Sequence, residues 1–265
     1  MKKPAAVRAF MWHIVVDPLR RAGIDVGRWP RRPDEDVLGW ALSAVLSAHQ
    51  INCVLDVGGN RGQFGQQIRS LGYTGRIVSF EPSPAVLPAL RAVAARDGHW
   101  EVRPVALGAK PGEAELHLHV DPVFDSLHGN LAKEDQPDSI GSFAEFAEVA
   151  TATVTLSTLE IEYPQAVAGL SEPRVLLKSD TQGNDLDVIA GAAGLSPQVV
   201  AVLVELSVQA IYTGQPRMTR MIDVLQEEGF TPVAFQPVSR SFDDLRVVEF
   251  DGLFMRPAPP AKTRP

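Results

Sequence analysis

Apolar positions change their period along this chain, and the changes outline its elements. Val37, Leu38, Ala41, Leu42, Val45 and Leu46 recur at helical spacing, with Asp34 placed to cap the helix. Ahead of them lie a short helical pattern and the punctuated run Arg28-Trp29-Pro30-Arg31-Arg32-Pro33, so residues 1–50 read as a helical lead-in. From Ile51 onward strand and helix periods alternate. Strands are expected at 53–57, 76–80, 100–105, 114–120, 174–178, 199–206, 231–236 and 247–255, and helices at 63–71, 85–96, 186–192 and 217–228. The alternation predicts an α/β fold, with a mostly parallel sheet and helices on both faces. One domain is expected over 51–256, followed by a Pro-rich tail, 257–265, expected to be disordered.

Composition narrows the class. A formal charge of −7 gives no global attraction for nucleic acid or an anionic membrane. The one cysteine, Cys53, excludes a disulfide within the chain and reads as a small core residue. No run approaches the ~20 apolar residues that span a bilayer, and the N-terminus lacks a signal-peptide pattern. A cytoplasmic location is expected, with no nucleic-acid partner; the oligomeric state is open.

The first strand runs into Asp56-Val57-Gly58-Gly59-Asn60-Arg61-Gly62, and a helix follows. Glycines let backbone turn tightly against a ligand, and a helix start offers free N–H groups. A phosphate loop needs Lys-Ser/Thr after its last glycine, but Gln63-Phe64 stand here. A dinucleotide fingerprint needs a different glycine spacing, and Asp56 would sit badly beside a pyrophosphate. S-adenosylmethionine carries no phosphate, and its ammonium group suits an acid, so this order favours it. The second strand ends in Phe80-Glu81-Pro82-Ser83, where a carboxylate suits ribose hydroxyls. The candidate cofactor residues are therefore Asp56, Gly58, Gly59, Asn60, Gly62, Phe64, Glu81, Pro82 and Ser83. A nicotinamide-dependent oxidoreductase is the competing reading.

Over residues 51–255 the chain resembles the FkbM family of class I methyltransferases. The matching pieces are Val54 to Gly62, Phe80-Glu81-Pro82, Val105 to Gly108, Val154 to Leu159, Leu177 to Gly183, Val204 to Ser207, Tyr212, Leu225 to Phe230 and Asp251 to Phe254. The resemblance implies a Rossmann-like seven-stranded sheet whose last strand runs antiparallel. It implies O-methylation, often of a sugar hydroxyl in a glycolipid, polysaccharide or natural product, and adds Ala106 and Leu107 to the cofactor site. It also lays the loop Phe124 to Asn130 over the cleft, where Ser126 would touch the cofactor and His128 would serve as a base. Three places depart from the family pattern. Gly59 is often alanine, a harmless change; Ser179 replaces an apolar residue; Asn184-Asp185 replace a more hydrophobic pair.

An alcohol is a poor acid, so methyl transfer to oxygen needs a base or a metal. Asp180 and Glu205 follow two buried apolar runs, and neighbouring strand tips would bring both over one sheet edge. Two carboxylates there suit Mg2+ ligation, and Asp180 also suits the cofactor site. Asp180 could instead act as the base without a metal. Gln182 is placed to hydrogen-bond the substrate, and Lys178 reads as an ion-pair partner. His117 and His119 share one strand face, which reads as a surface face rather than a metal site.

Overall fold

The computed structural model describes residues 36–136, 144–192, 194, 196–241 and 245–257. The expected Asp34 cap, the Arg28–Pro33 cluster and residues 258–265 fall outside that set. Helix α1 (Val37–Ala48) is capped by Asp36, whose carboxylate accepts the Gly39 N–H. There follow β1 (Cys53–Val57), α2 (Gln63–Ser70), β2 (Arg76–Phe80), α3 (Leu87–Ala94), β3 (Trp100–Arg103), β4 (Ala106–Leu107) and β5 (Gly112–His119). The chain continues through β6 (Glu148–Ser157), α4 (Leu159–Ala166), β7 (Val175–Ser179), α5 (Asp185–Ala190), β8 (Val199–Ser207), α6 (Met218–Glu227), β9 (Thr231–Arg240) and β10 (Val247–Met255).

Seven strands form one sheet in the order β3-β2-β1-β7-β8-β10-β9. Neighbours run parallel except β10, which is antiparallel to both β8 and β9. This is the α/β sheet that the alternation predicts, with the single reversed last strand that the resemblance implies. Period-two alternation in buried strands explains the two covered faces. Val54, Ile77, Leu176 and Leu253 pack with Leu42 and Val45 of α1, Ile68 of α2 and Leu90 of α3. Leu55, Val57, Val78, Leu177 and Val202 pack on the other face with Leu159, Val188, Met221 and Leu225 of α4, α5 and α6. Cys53 is fully buried there, and burial pushes its thiol up to about 11.

The differences from the sequence reading have local causes. β3 stops at Arg103 because Pro104 has no N–H for the ladder. Pairing resumes in a separate three-stranded sheet, β4-β6-β5, over the cleft. Helix α4, which the periodicity does not show, carries Pro164 in its interior and starts from Thr158, whose hydroxyl accepts the Ile161 N–H. Among the described residues no helix is long and apolar enough to cross a membrane.

Candidate active site

Strand β1 pairs with β2 on one side and β7 on the other, so the crossover connections diverge above its carboxyl end. A crevice at such a switch point is where open α/β sheets bind ligands. Register decides who stands there. Val57 pairs with Ser179, Ser179 with Val204, and Glu205 with Asp251. The residues that follow or match these, Gly58, Asp180, Glu205 and Asp251, therefore come level along one sheet edge. A cavity of about 320 Å3 opens over this edge.

Close packing explains the glycines. Gly58 has φ +77, and a Cβ there would lie 1.9 Å from the Asp180 carbonyl oxygen. At Gly59 a Cβ would lie 2.9 Å from Ser79 Cβ and 3.2 Å from a Leu90 methyl, so alanine is not harmless in this chain. Gly59→Ala should lower stability by about 1–3 kcal/mol, the usual overpacking cost, as read by thermal or denaturant unfolding. Unchanged stability would show that Ser79 yields freely.

Of the residues expected from sequence, Gly58, Gly59, Asn60, Phe64, Glu81, Pro82, Ala106, Leu107, Ser126, Asp180 and Glu205 line the cavity. Asp56, Gly62, Ser83 and His128 do not. Asp56 is wholly buried beneath the loop, accepts the Ser79 hydroxyl at 2.7 Å and lies 3.3 Å from Lys178 Nζ. Gly62 caps α2. Ser83 donates to Asp125 Oδ2 at 2.7 Å and so ties the β2 tip to the loop above. His128 stands outside because its loop is pinned by Ser126, whose Oγ accepts the His128 N–H and donates to the Gln182 carbonyl. His119 is buried, not on a surface face: its ring stacks on Phe146, and its Nε2 lies 3.0 Å from Asn130 Oδ1. His117 sits 3.0 Å from Glu148 instead.

Glu81 clamps the loop. Its two oxygens accept the N–H groups of Asn60 at 2.7 Å and Ser83 at 2.8 Å. Burial pushes its carboxyl up to about 7, against the pull of those two N–H groups. Lys178 Nζ reaches the Gly58 carbonyl at 2.8 Å, Asp56 at 3.3 Å and Asp180 at 3.6 Å, and so bridges the tips of β1 and β7. Burial alone would lower this ammonium, but the Asp180 and Asp56 carboxylates outweigh it and hold it above the usual lysine range.

The two departures at Ser179 and Asp185 are partners. Ser179 Oγ and the Thr181 N–H and hydroxyl all donate to Asp185 Oδ1, at 2.5, 3.1 and 3.0 Å. This knot fixes the loop that carries Asp180 and Gln182. Beside it, Gln182 Nε2 donates to Asp180 Oδ1 at 3.0 Å and Glu205 Oε2 at 3.3 Å. That arrangement does not fit the expected Mg2+ on Asp180 and Glu205, because an N–H donor, which cannot ligate a cation, occupies the place between the two carboxylates. Among the described residues no group of three or more Asp, Glu, His or Cys side chains is placed to hold a metal ion.

Sequence reasoning missed Asp125, Asp251 and Asn184, which also line the cavity. Asp251 lies in a quoted motif, but only its pairing with Glu205 shows that it reaches the site.

Acids crowd this edge. Burial, and then Glu249, Asp180, Asp185 and Asp251, hold Glu205 well above the usual carboxylate range. Burial pushes Glu249 up to about 7 and Asp251 to about 6, with Asp180 adding to both. The folded protein thus binds more protons than the unfolded chain between the ordinary carboxylate range and about pH 7. The resulting stability is present below that window and lost as pH rises through it. Glu249→Gln removes one such group and keeps an acceptor for Ser239, its 3.0 Å partner. It should raise the melting temperature at pH 7.5 more than at pH 5; an equal change at both would refute the assignment.

A family profile described as methyltransferase FkbM domain matches residues 56–232. Solved structures resemble the chain at low identity. Magnesium protoporphyrin IX methyltransferase from Synechocystis is 13% identical over 95% of this chain and 96% of that chain, with a TM-score of 0.44. The 1,6-didemethyltoxoflavin-N1-methyltransferase of Burkholderia thailandensis is 16% identical over 97% and 92%, with a TM-score of 0.38. Fibrillarin from Aeropyrum pernix is 12% identical over 83% and 74%, with a TM-score of 0.43. No curated protein matches the chain. With the profile spanning most of the sheet and both sides of the cavity, the chain belongs to the FkbM methyltransferase family.

Proposed function

We propose that this protein transfers the methyl group of S-adenosylmethionine to a hydroxyl of a sugar or glycoside, with Asp180 as the base and no metal ion. The reading rests on one cavity lined both by the glycine loop and Glu81 and by Asp180 and Glu205. Its volume falls within the range of pockets that bury a cofactor-sized ligand.

The residues present fit the cofactor. Asn60 Oδ1 is buried without a partner, an acceptor suited to an ammonium group. Glu81 at the β2 tip suits paired hydroxyls, and Val105, Leu107, Leu116 and Leu127 offer an apolar slot for a flat ring. When bound, the sulfonium supplies an electrophilic methyl group. Asp180 takes the acceptor's hydroxyl proton as the oxygen bonds to that methyl carbon and the carbon–sulfur bond breaks. Lys178 steadies the carboxylate from 3.6 Å. Glu205, whose carboxyl burial and its acidic neighbours push well above the usual carboxylate range, orients the acceptor through hydrogen bonds. The carboxylates and amides that line the cavity, Asp180, Gln182, Asn184, Glu205 and Asp251, support a polyhydroxylated acceptor.

Parallel calorimetric titrations with S-adenosylmethionine and NAD(P) test the cofactor; binding of the nicotinamide alone would sink the reading. Transfer of a labelled methyl group to a panel of methyl glycosides and non-sugar alcohols, with and without EDTA, tests the rest. Transfer to the alcohols alone would replace the acceptor class. Activity lost in EDTA and restored by Mg2+ would overturn the metal-free route.

A further inference from the structure

The Gln182 amide stands between the Asp180 and Glu205 carboxylates in the cavity wall, and several contacts hold it there. Gln182 has φ +54, a left-handed conformation disfavoured for a side chain of this kind. Strained backbone at such a place persists only where its surroundings over-determine it. Here Ser126 Oγ donates to the Gln182 carbonyl at 2.6 Å, and Gly183 follows at φ +98. The side-chain Oε1 lies 2.9 Å from the Tyr212 hydroxyl, which is also 3.0 Å from the Phe124 carbonyl. Tyr212 is wholly buried, edge-on to Phe146 at 5.7 Å.

Without this amide, Asp180 and Glu205 would face each other directly across neighbouring strand tips. The Asp180 side chain is 39% exposed, and with Lys178 at 3.6 Å as its remaining partner it would be free to swing toward water. A neutral donor shared between the two, anchored at its far end, removes that freedom. We infer that Gln182, held by Tyr212, is a positioning residue: it binds one oxygen of Asp180, keeps the other for the acceptor's proton, and sets the spacing to Glu205. The inference rests on Asp180 being the base and goes beyond it in naming what aims that base.

The test uses the full chain with 13C-labelled glutamate carboxyls, the Glu205 signal being identified by its loss in Glu205→Gln. Glu205 also faces Glu249 and Asp251 from β10, Asp180 at the β7 tip and Asp185 from α5. These stay in place in Gln182→Leu, so a change there reports the amide. Glu205 should titrate at higher pH in Gln182→Leu than in the parent, because a donor to its charged form is gone. Tyr212→Phe should shift it the same way by less, and decides the matter if Gln182→Leu does not fold. A titration curve unmoved in both variants, whatever the melting temperature, overturns the inference.

With any acceptor from the methyl-transfer panel, Gln182→Leu should lower kcat by up to about 100-fold and leave the acceptor KM nearly unchanged. A rise in KM with kcat intact would make Gln182 a binding residue instead. Asp180→Asn separates the two ideas. If that variant keeps its transfer activity, the base reading fails. If it is inactive while Gln182→Leu matches the parent, only the positioning inference fails.

Discussion

Asp180→Asn should cut methyl transfer by about 100- to 10,000-fold, the usual worth of a positioned general base, while S-adenosylmethionine still binds. Asparagine keeps the shape of the side chain and an oxygen for the Gln182 Nε2–H that now donates at 3.0 Å. It removes the capacity to take a proton, together with the charge that faces Lys178 at 3.6 Å. Cofactor binding should survive because the glycine loop, Glu81 and the Leu107 slot are left unchanged. Calorimetry for binding and labelled-methyl transfer for turnover read the two effects separately. Retained turnover would move the base elsewhere. Glu205, across the Gln182 amide from Asp180 and held well above the usual carboxylate range, would be the next group to test, since His128 lies outside the cavity.

Gly58→Ala should have the largest effect on stability. The new Cβ would sit 1.9 Å from a backbone oxygen of the β7 tip, at φ +77. Neither strand can retreat easily: Asp180 N–H donates to the Val57 carbonyl at 3.1 Å, and Lys178 binds the Gly58 carbonyl at 2.8 Å. A left-handed non-glycine residue costs about 1–2 kcal/mol and overpacking about 1–3, so a loss of about 2–5 kcal/mol is expected, with weakened cofactor binding. Thermal unfolding and calorimetry check both. A variant as stable as the parent would mean that the loop and the β7 tip can separate, and the shared cavity would then be less rigid than the packing indicates.

The second prediction depends on a contact between segments more than a hundred residues apart, which marks the limit of what could be read from sequence. The glycine loop, Glu81 and the acids at 180 and 205 were legible because each belongs to a local pattern: an apolar run, a turn, then a chemically distinct residue. Family motifs implied seven strands with the last one reversed. Asp125 lay in a loop already placed over the cleft and Asn184 in a noted departure, but their partners, Ser83 and Leu107, were not legible because packing chooses them. Nor was the pairing of Ser179 with Asp185 visible as a unit; each looked like a separate departure until one hydrogen bond joined them.

Local and periodic features were thus determined by sequence alone: the α/β alternation, the buried strands, the turn after β1 and the acid at each strand tip. They follow from side-chain period and backbone freedom, which act within a few residues. Only the tertiary structure decided what those residues do. Strand register put Asp180, Glu205 and Asp251 side by side. Burial sent Asp56 beneath the loop to meet Lys178, and placed a glutamine donor where two carboxylates alone suggested a metal. Charges and hydrogen bonds act across space, so their partners are settled when the sheet closes and not before.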